Sequence, residues 1–142
     1  MMSTKQRLWD FIRRNKSFTP KTMAIIGGFS YQTLRNFLIP LEIAGVLKVQ
    51  NKSKFMKRVY LLNTKMNEVT APKVNWNRVY LHKEKLEVDV GAKALLLKEI
   101  KQSSQGRVAQ QLGISKASIN LLVHNKYQSP ALMYKKIREM ME

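Results

Sequence analysis

Gln105-Gly106-Arg107-Val108-Ala109-Gln110-Gln111-Leu112-Gly113-Ile114-Ser115 is the stretch that decides how this chain folds. It reads as a short helix whose small residue, Ala109, lets a second helix cross closely, followed by a glycine, Gly113, suited to a turn at positive φ. Ile114 plugs the turn into a core, and Ser115 is placed to cap the next helix by accepting a backbone N–H bond. The same grammar occurs 85 residues earlier. Laying Pro20 to Ile39 over Gln105 to His124 pairs Ala24 with Ala109, Gly28 with Gly113, Phe29 with Ile114, Ser30 with Ser115 and Leu34 with Ile119. A single Ala-x-x-x-Gly would carry little. Five matched positions, found twice, point to two helix-turn-helix units.

Charge points the same way. Across 142 residues, 26 Lys and Arg face nine Asp and Glu, a net charge of +17 that attracts a polyanion and repels a second copy of the chain. Residues 1–65 hold 13 basic and two acidic side chains, 66–90 hold four of each, and 91–142 hold nine and three. Each basic block therefore contains one of the repeated units, and a neutral stretch lies between them. This is the pattern expected of two binding heads, 1–65 and 91–142, joined by a connector, 66–90.

The hydrophobic content of 44% is enough for ordered cores. No apolar run approaches the roughly 18 residues that a membrane-spanning helix needs, and the N-terminus leads into an amphipathic segment, not a signal-peptide core. A cytoplasmic, nucleoid-associated protein is expected. With no Cys and only His82 and His124, neither a disulfide nor a metal site is expected, and nothing calls for a cofactor.

In the N-terminal block, Leu8, Phe11 and Ile12 share one face of a helix from about Lys5 to Arg14, with Trp9 at its edge. A second helix opens at Pro20, whose missing N–H is no loss at a first helical position. A third runs from about Ser30 towards Ala44, burying Leu34, Phe37, Leu38 and Leu41, and stops at Gly45. Pro40 falls inside it, deletes the bond to the Asn36 carbonyl and costs ~3 kcal/mol in an ordinary helix interior, so a kink or break is expected. Val46 to Val49 and Arg58 to Leu62 read as strands flanking the lysine-bearing segment Gln50 to Lys57.

Three helices and a basic hairpin over about residues 5–63 resemble the winged-helix family of DNA-binding domains. The resemblance rests on Ser30-Tyr31-Gln32-Thr33-Leu34-Arg35, on Leu41 to Leu47 and on Val59-Tyr60-Leu61. It implies that the third helix enters the major groove, making Tyr31, Gln32, Arg35 and Asn36 candidate base or phosphate contacts, and that Lys52, Lys54, Lys57 and Arg58 of the wing grip phosphates. The residues also admit plainer roles. Tyr31 can cover apolar surface, Arg35 can pair with Glu42 or lie in solvent, and a lysine-rich hairpin also keeps an exposed β edge from aggregating.

The C-terminal block reads as all helix: a first helix around Ala94, Leu95 and Ile100, then Gln105 to Leu112, Ser115 to His124, and Ala131 to Met141 after Pro130. With the Asn125-Lys126-Tyr127 loop, residues 91–141 look like the Cro/repressor class of helix-turn-helix domains. The resemblance implies that Gln105 hydrogen-bonds a phosphate and that Ser115, Lys116, Ala117 and Asn120 face DNA. Lys116 suits guanine, Asn120 adenine and Ala117 a thymine methyl. Asn125 and Lys126 would close on the backbone. His124 either meets a base or serves as a cation favouring the helix C-terminus.

The connector carries Val74-Asn75-Trp76, Val79-Tyr80-Leu81 and Leu86 to Val90, patterns that allow strands or packing against a head. Trp76 and Tyr80 could stack on bases or form an interface, and burial is the expected outcome. Asp89 with Glu99-Ile100-Lys101 mimics the acidic set of metal-dependent nucleases, but Glu99 and Lys101 fall on a helix where that chemistry uses a strand. The expected fold is mainly α: a winged helix-turn-helix domain joined to an all-α repressor-like domain. The expected role is non-enzymatic and sequence-specific binding of double-stranded DNA, as in a bacterial or phage transcriptional regulator. An architectural or accessory factor of phage transposition, replication or recombination, and a protein-interaction module built on these folds, are the alternatives. Homodimerisation is left open.

Overall fold

Ser3 opens the first helix by accepting the Gln6 N–H, and α1 then runs over Thr4–Asn15 with Leu8, Trp9 and Ile12 fully buried. The computed structural model describes residues 3–51, 53–63, 65, 68–82, 85–128 and 130–141. After β1 (Ser17–Phe18) come α2 (Pro20–Gly27), α3 (Tyr31–Ile43), β2 (Leu47–Val49) and β3 (Tyr60–Leu62). The second half continues with β4 (Lys73–Val74), β5 (Val79–Leu81), β6 (Leu86–Val88), α4 (Ala92–Gln102), α5 (Gln105–Leu112), α6 (Lys116–Val123) and α7 (Pro130–Met141). The class is mainly α with two small antiparallel sheets.

The sequence repeat is a repeat in three dimensions. Both α2 and α5 are eight residues long, and both end on a left-handed glycine, Gly28 at φ 71° and Gly113 at φ 70°. In each case the residue after the glycine is drawn inward and the next is the cap. Ser30 accepts from the Thr33 N–H, and Ser115 from the Ser118 N–H. Even the residues before the first helix correspond, since Thr19 caps α2 and Ser104 caps α5. Each such cap is worth ~1 kcal/mol. Met23 and Val108, Leu34 and Ile119, and Phe37 and Leu122 hold matching buried positions.

Pro40 does not end α3. Helical backbone continues to Ile43, and the terminus closes at Gly45 (φ 84°), with Gly45 N–H on Glu42 O and Val46 N–H on Leu41 O. Two circumstances outweigh the local penalty. The carbonyl freed by Pro40 belongs to Asn36, an exposed residue where water can take it, and the proline ring itself is buried, as Leu38 and Leu41 are.

The hairpin of β2 and β3 pairs Leu47 with Leu62 and Val49 with Tyr60, and β1 adds to the far side of β3 through Ser17 with Leu61 and Phe18 with Tyr60. The order is β1-β3-β2. The hairpin tip is not an open loop. A single 3₁₀ turn, Phe55–Lys57, folds it back so that Phe55 is buried against Tyr31 and Tyr60, with ring centroids 5.7 and 6.4 Å away.

Residues 66–90, expected as a connector with patterns that allow strands or packing against a head, do form strands. They supply β4, β5 and β6, a sheet in that order, whose Val74, Val79, Leu81 and Val88 join the same buried cluster as the residues of both halves. β4 lies on α3 and β6 on α7. Trp9, expected at an edge, is instead fully buried and donates its indole N–H to Glu68 O at 2.6 Å. Gln6 accepts from Ala71 N–H and donates to Val69 O, and Lys5 reaches Val74 O. Trp76 corrects the opposite expectation: it is 51% exposed.

Candidate nucleic-acid interface

The N-terminal turn of α3 sets out a row of polar side chains. Tyr31, Gln32 and Asn36 are exposed, and Arg35 is half-buried. Side chains four apart on a helix are neighbours, and here they pair. Gln32 donates to Asn36 Oδ1 at 2.7 Å, and the Arg35 guanidinium donates to the Tyr31 hydroxyl at 3.2 Å. Arg35 also lies over the Tyr31 and Phe55 rings, 5.7 and 5.4 Å from their centroids. It does not pair with Glu42. The folded hairpin tip thus meets the start of α3 through the edge-to-face Tyr31–Phe55 contact and the Arg35 guanidinium, and Lys54 and Lys57 stand exposed on either side of buried Phe55. Lys52 lies outside the described residues.

The second unit presents a matching face. Lys116, Ala117 and Asn120 are exposed at the start of α6. They occupy the places of Tyr31, Gln32 and Arg35, each 85 residues on. Ser115 is exposed, and its hydroxyl is engaged in the cap with Ser118. Gln105 opens α5 directly after the Ser104 cap. Leu121, 41% exposed, adds an apolar side chain to this face that the sequence reading did not single out.

Two residues expected to hold phosphate turn inward. Asn125, at φ 59° just beyond α6, donates to Glu42 Oε2 at 2.6 Å and accepts from the Lys93 ammonium at 2.5 Å. Arg58 reaches Glu42 Oε1 at 3.4 Å, the Tyr60 hydroxyl at 3.4 Å and Ser53 O at 3.2 Å. Tyr60 itself donates to Glu42 Oε1 at 2.8 Å. Both Arg58 and Asn125 are therefore corrected from phosphate grips to members of a polar knot around the buried Glu42 carboxylate. Burial pushes the Tyr60 phenol up, reinforced by Glu42, and burial lowers the Lys93 ammonium against the pull of the same carboxylate. Glu42 is one of only two acids in residues 1–65, and that isolation among 13 bases was the available signal.

The knot floors a cleft of about 370 Å³ where the two halves meet. Gln50, Ser53 and Arg58 of the hairpin form one wall, and His124, Asn125 and Lys126 the other. His124 and Lys126 are exposed. The hairpin and the loop after α6, separated by more than 60 residues of chain, thus border a single cleft. A further interlock ties the second sheet to α7: Arg138 forks onto both oxygens of Asp89 at 2.8 and 3.0 Å, and Arg78 approaches at 3.4 Å. The Arg138 hydrogen bonds hold the Asp89 carboxyl below its usual range. Asp89 and Glu99 are not brought into a metal-binding group, and among the described residues no cluster of three or more His, Asp or Glu exists. Also among these residues, no helix is long and apolar enough to cross a membrane.

No protein-family model, curated protein or solved structure matches the chain.

Proposed function

We infer that this chain is a non-enzymatic, sequence-specific double-stranded DNA-binding protein, a bacterial or phage regulator acting at the nucleoid. Its N-terminal half corresponds to a winged helix and its C-terminal half to a repressor-type helix-turn-helix domain. The carrying observation is the matched pair of helix faces, exposed Tyr31, Gln32 and Asn36 with half-buried Arg35 on α3 and exposed Lys116, Ala117 and Asn120 on α6, each positioned by the same capped left-handed turn. Such faces carry the side chains that read base edges, namely amides, a lysine, an arginine and a methyl group. The order α1-β1-α2-α3-β2-β3 with sheet order β1-β3-β2 supports the winged reading of the first half.

The charge of +17 supports a polyanion as partner and disfavours self-association. Lys54 and Lys57 on the hairpin tip and Lys126 at the shared cleft are exposed cations, suited to phosphates. Because the two units share one core, their separation is set by packing, not by a tether, so a bound site should have a fixed spacing between its two halves.

Selection of bound sequences from a random duplex pool tests this. One enriched bipartite motif with invariant spacing is the expected result. Weak A·T preference with bending would favour an architectural role in transposition, replication or recombination, and no duplex binding at low salt would leave the protein-interaction reading.

A further inference from the structure

Among the described residues of the second sheet, Trp76 is a large apolar side chain that the packing of the fold leaves half exposed. It sits on the turn 75–78 between β4 and β5, and that turn is tightly fastened. Asn75 Oδ1 accepts the N–H groups of Asn77 and Arg78 at 2.8 and 2.7 Å, Asn75 N–H reaches Arg78 O at 3.0 Å, and Gly91 N–H holds Asn77 O at 3.1 Å. Arg78 is anchored in turn on Glu87 and Asp89. A rigid turn thus holds a large apolar ring half in water, a placement unfavourable by the ordinary logic of burial.

The ring borders a cleft of about 470 Å³, within the ~300–1,000 Å³ typical of small-ligand sites. Lys5 of α1 and Thr33, Asn36 and Phe37 of α3 line the cleft with Asn75 and Trp76. Its polar groups are mainly donors. Asn36 Oδ1 is taken by Gln32, and Asn75 Oδ1 by the turn amides, which leaves the two amide NH₂ groups for a ligand. Lys5 adds positive charge, its ammonium held on Val74 O at 2.8 Å.

We propose that this cleft takes an unpaired nucleobase of a nucleic acid engaged by α3, stacked on Trp76 and addressed through its carbonyl edge by Asn36 and Asn75. The site rests on the DNA-binding reading and extends it, since Asn36 belongs both to the α3 face and to the cleft. An aromatic platform beside hydrogen-bond donors and a cation is the general chemistry for holding an unstacked base. A donor-rich pocket favours thymine or guanine over adenine, whose exocyclic amine is itself a donor. A second copy of the chain is a poor occupant, because each carries +17.

The intact chain reports on the site directly. It has two tryptophans, and Trp9 is fully buried, so emission sensitive to a stacking ligand comes from Trp76. Titrations would use a short thymidylate strand, an adenylate strand of equal length, a blunt duplex, and the same duplex with a thymidylate overhang. Saturable quenching by the thymidylate strand and the overhang duplex is expected, with weaker quenching by adenylate. Trp76→Leu should lose about tenfold in affinity for the overhang duplex, Trp76→Phe much less, and both should keep blunt-duplex affinity within about twofold. Unchanged thermal melts would show that both variants fold. Blunt-duplex binding with no gain from the overhang overturns the base site alone. Equal losses of Trp76→Leu on both duplexes overturn it in favour of a structural role. Failure of every nucleic acid to bind overturns the DNA reading with it and leaves the cleft to a protein partner.

Discussion

Asn125 donates a 2.6 Å hydrogen bond to Glu42 across 83 residues of chain, from a left-handed backbone position at φ 59°. The contact joins the end of α6 to the last turn of α3 and so links the two halves directly. Asn suits the site twice over, because it tolerates the left-handed region and because its amide both donates to Glu42 and accepts from Lys93.

Two substitutions separate those contributions. Asn125→Ala removes the amide but keeps a Cβ at positive φ, without the tolerance that Asn has there, so it should cost about 2–4 kcal/mol. Asn125→Gly loses only the hydrogen bonds and should recover ~1–2 kcal/mol of that. Urea unfolding followed by two probes should show one transition in each protein. Equal costs for Ala and Gly, or two resolved transitions in the wild type, would contradict the interlock.

The Asp89 to Arg138 fork makes a pH-dependent contribution. Arg138 holds the Asp89 carboxyl below its ordinary value of 3.8, so the unfolded chain takes up the proton first as pH falls. The stabilisation is therefore complete above the ordinary carboxylate range and is lost as pH drops through the lower folded value. Asp89→Asn should be about 2 kcal/mol less stable at pH 7, with the difference from wild type shrinking steadily below about pH 4. A difference that stays constant down to pH 2 would mean that ionisation of Asp89 plays no part.

Adjacent glycines in the first turn respond to different forces. A Cβ on Gly28 would meet nothing within 4 Å, so Gly28→Ala should cost only the ~1–2 kcal/mol of left-handed backbone. Gly27 is helical, where Ala normally gains ~1 kcal/mol, but its Cβ would lie 2.4 Å from the Phe29 ring. Gly27→Ala should destabilise and Gly27→Ala with Phe29→Leu should recover part of the loss. A stabilising Gly27→Ala in thermal melts would show that Phe29 yields freely.

These glycines also mark what the sequence made legible. The turn glycines, the serine caps and the bounds of α5 come from chemistry within four residues, and all of them can be read directly. What depends on distant partners cannot. The two-residue strand Ser17–Phe18 exists because Tyr60 and Leu61 arrive beside it. The fates of Trp9 and Trp76 are reversed because Glu68 O reaches one indole, whereas the other stays half exposed on a turn. Pro40 obeyed its helix environment instead of its own propensity, since solvent at Asn36 and burial of the ring offset the missing bond. On the candidate interface, the exposed face of α6 was legible from helical period, whereas the inward turn of Arg58 and Asn125 required knowing that Glu42 lies between them.

Readout and grip should separate on the two halves of the surface. Asn120 is exposed at the start of α6, in the position that Arg35 holds on α3, and an amide there can pair bidentately with an adenine edge. Asn120→Ala should cost ~1–3 kcal/mol on the selected site and leave non-specific affinity unchanged. Lys54 is an exposed cation on the hairpin with no base edge to read, so Lys54→Ala should weaken all sequences alike. Wild-type affinity should fall with salt along a log-log slope equivalent to about six or more phosphates, and Lys54→Ala should reduce that slope by about one while Asn120→Ala leaves it intact. Binding isotherms for the three proteins, on specific and scrambled duplexes at four salt concentrations, give every quantity needed. If Asn120→Ala and Lys54→Ala lose affinity equally on both duplexes, α6 is not a reading helix. A wild-type slope near one would remove the polyanion partner itself.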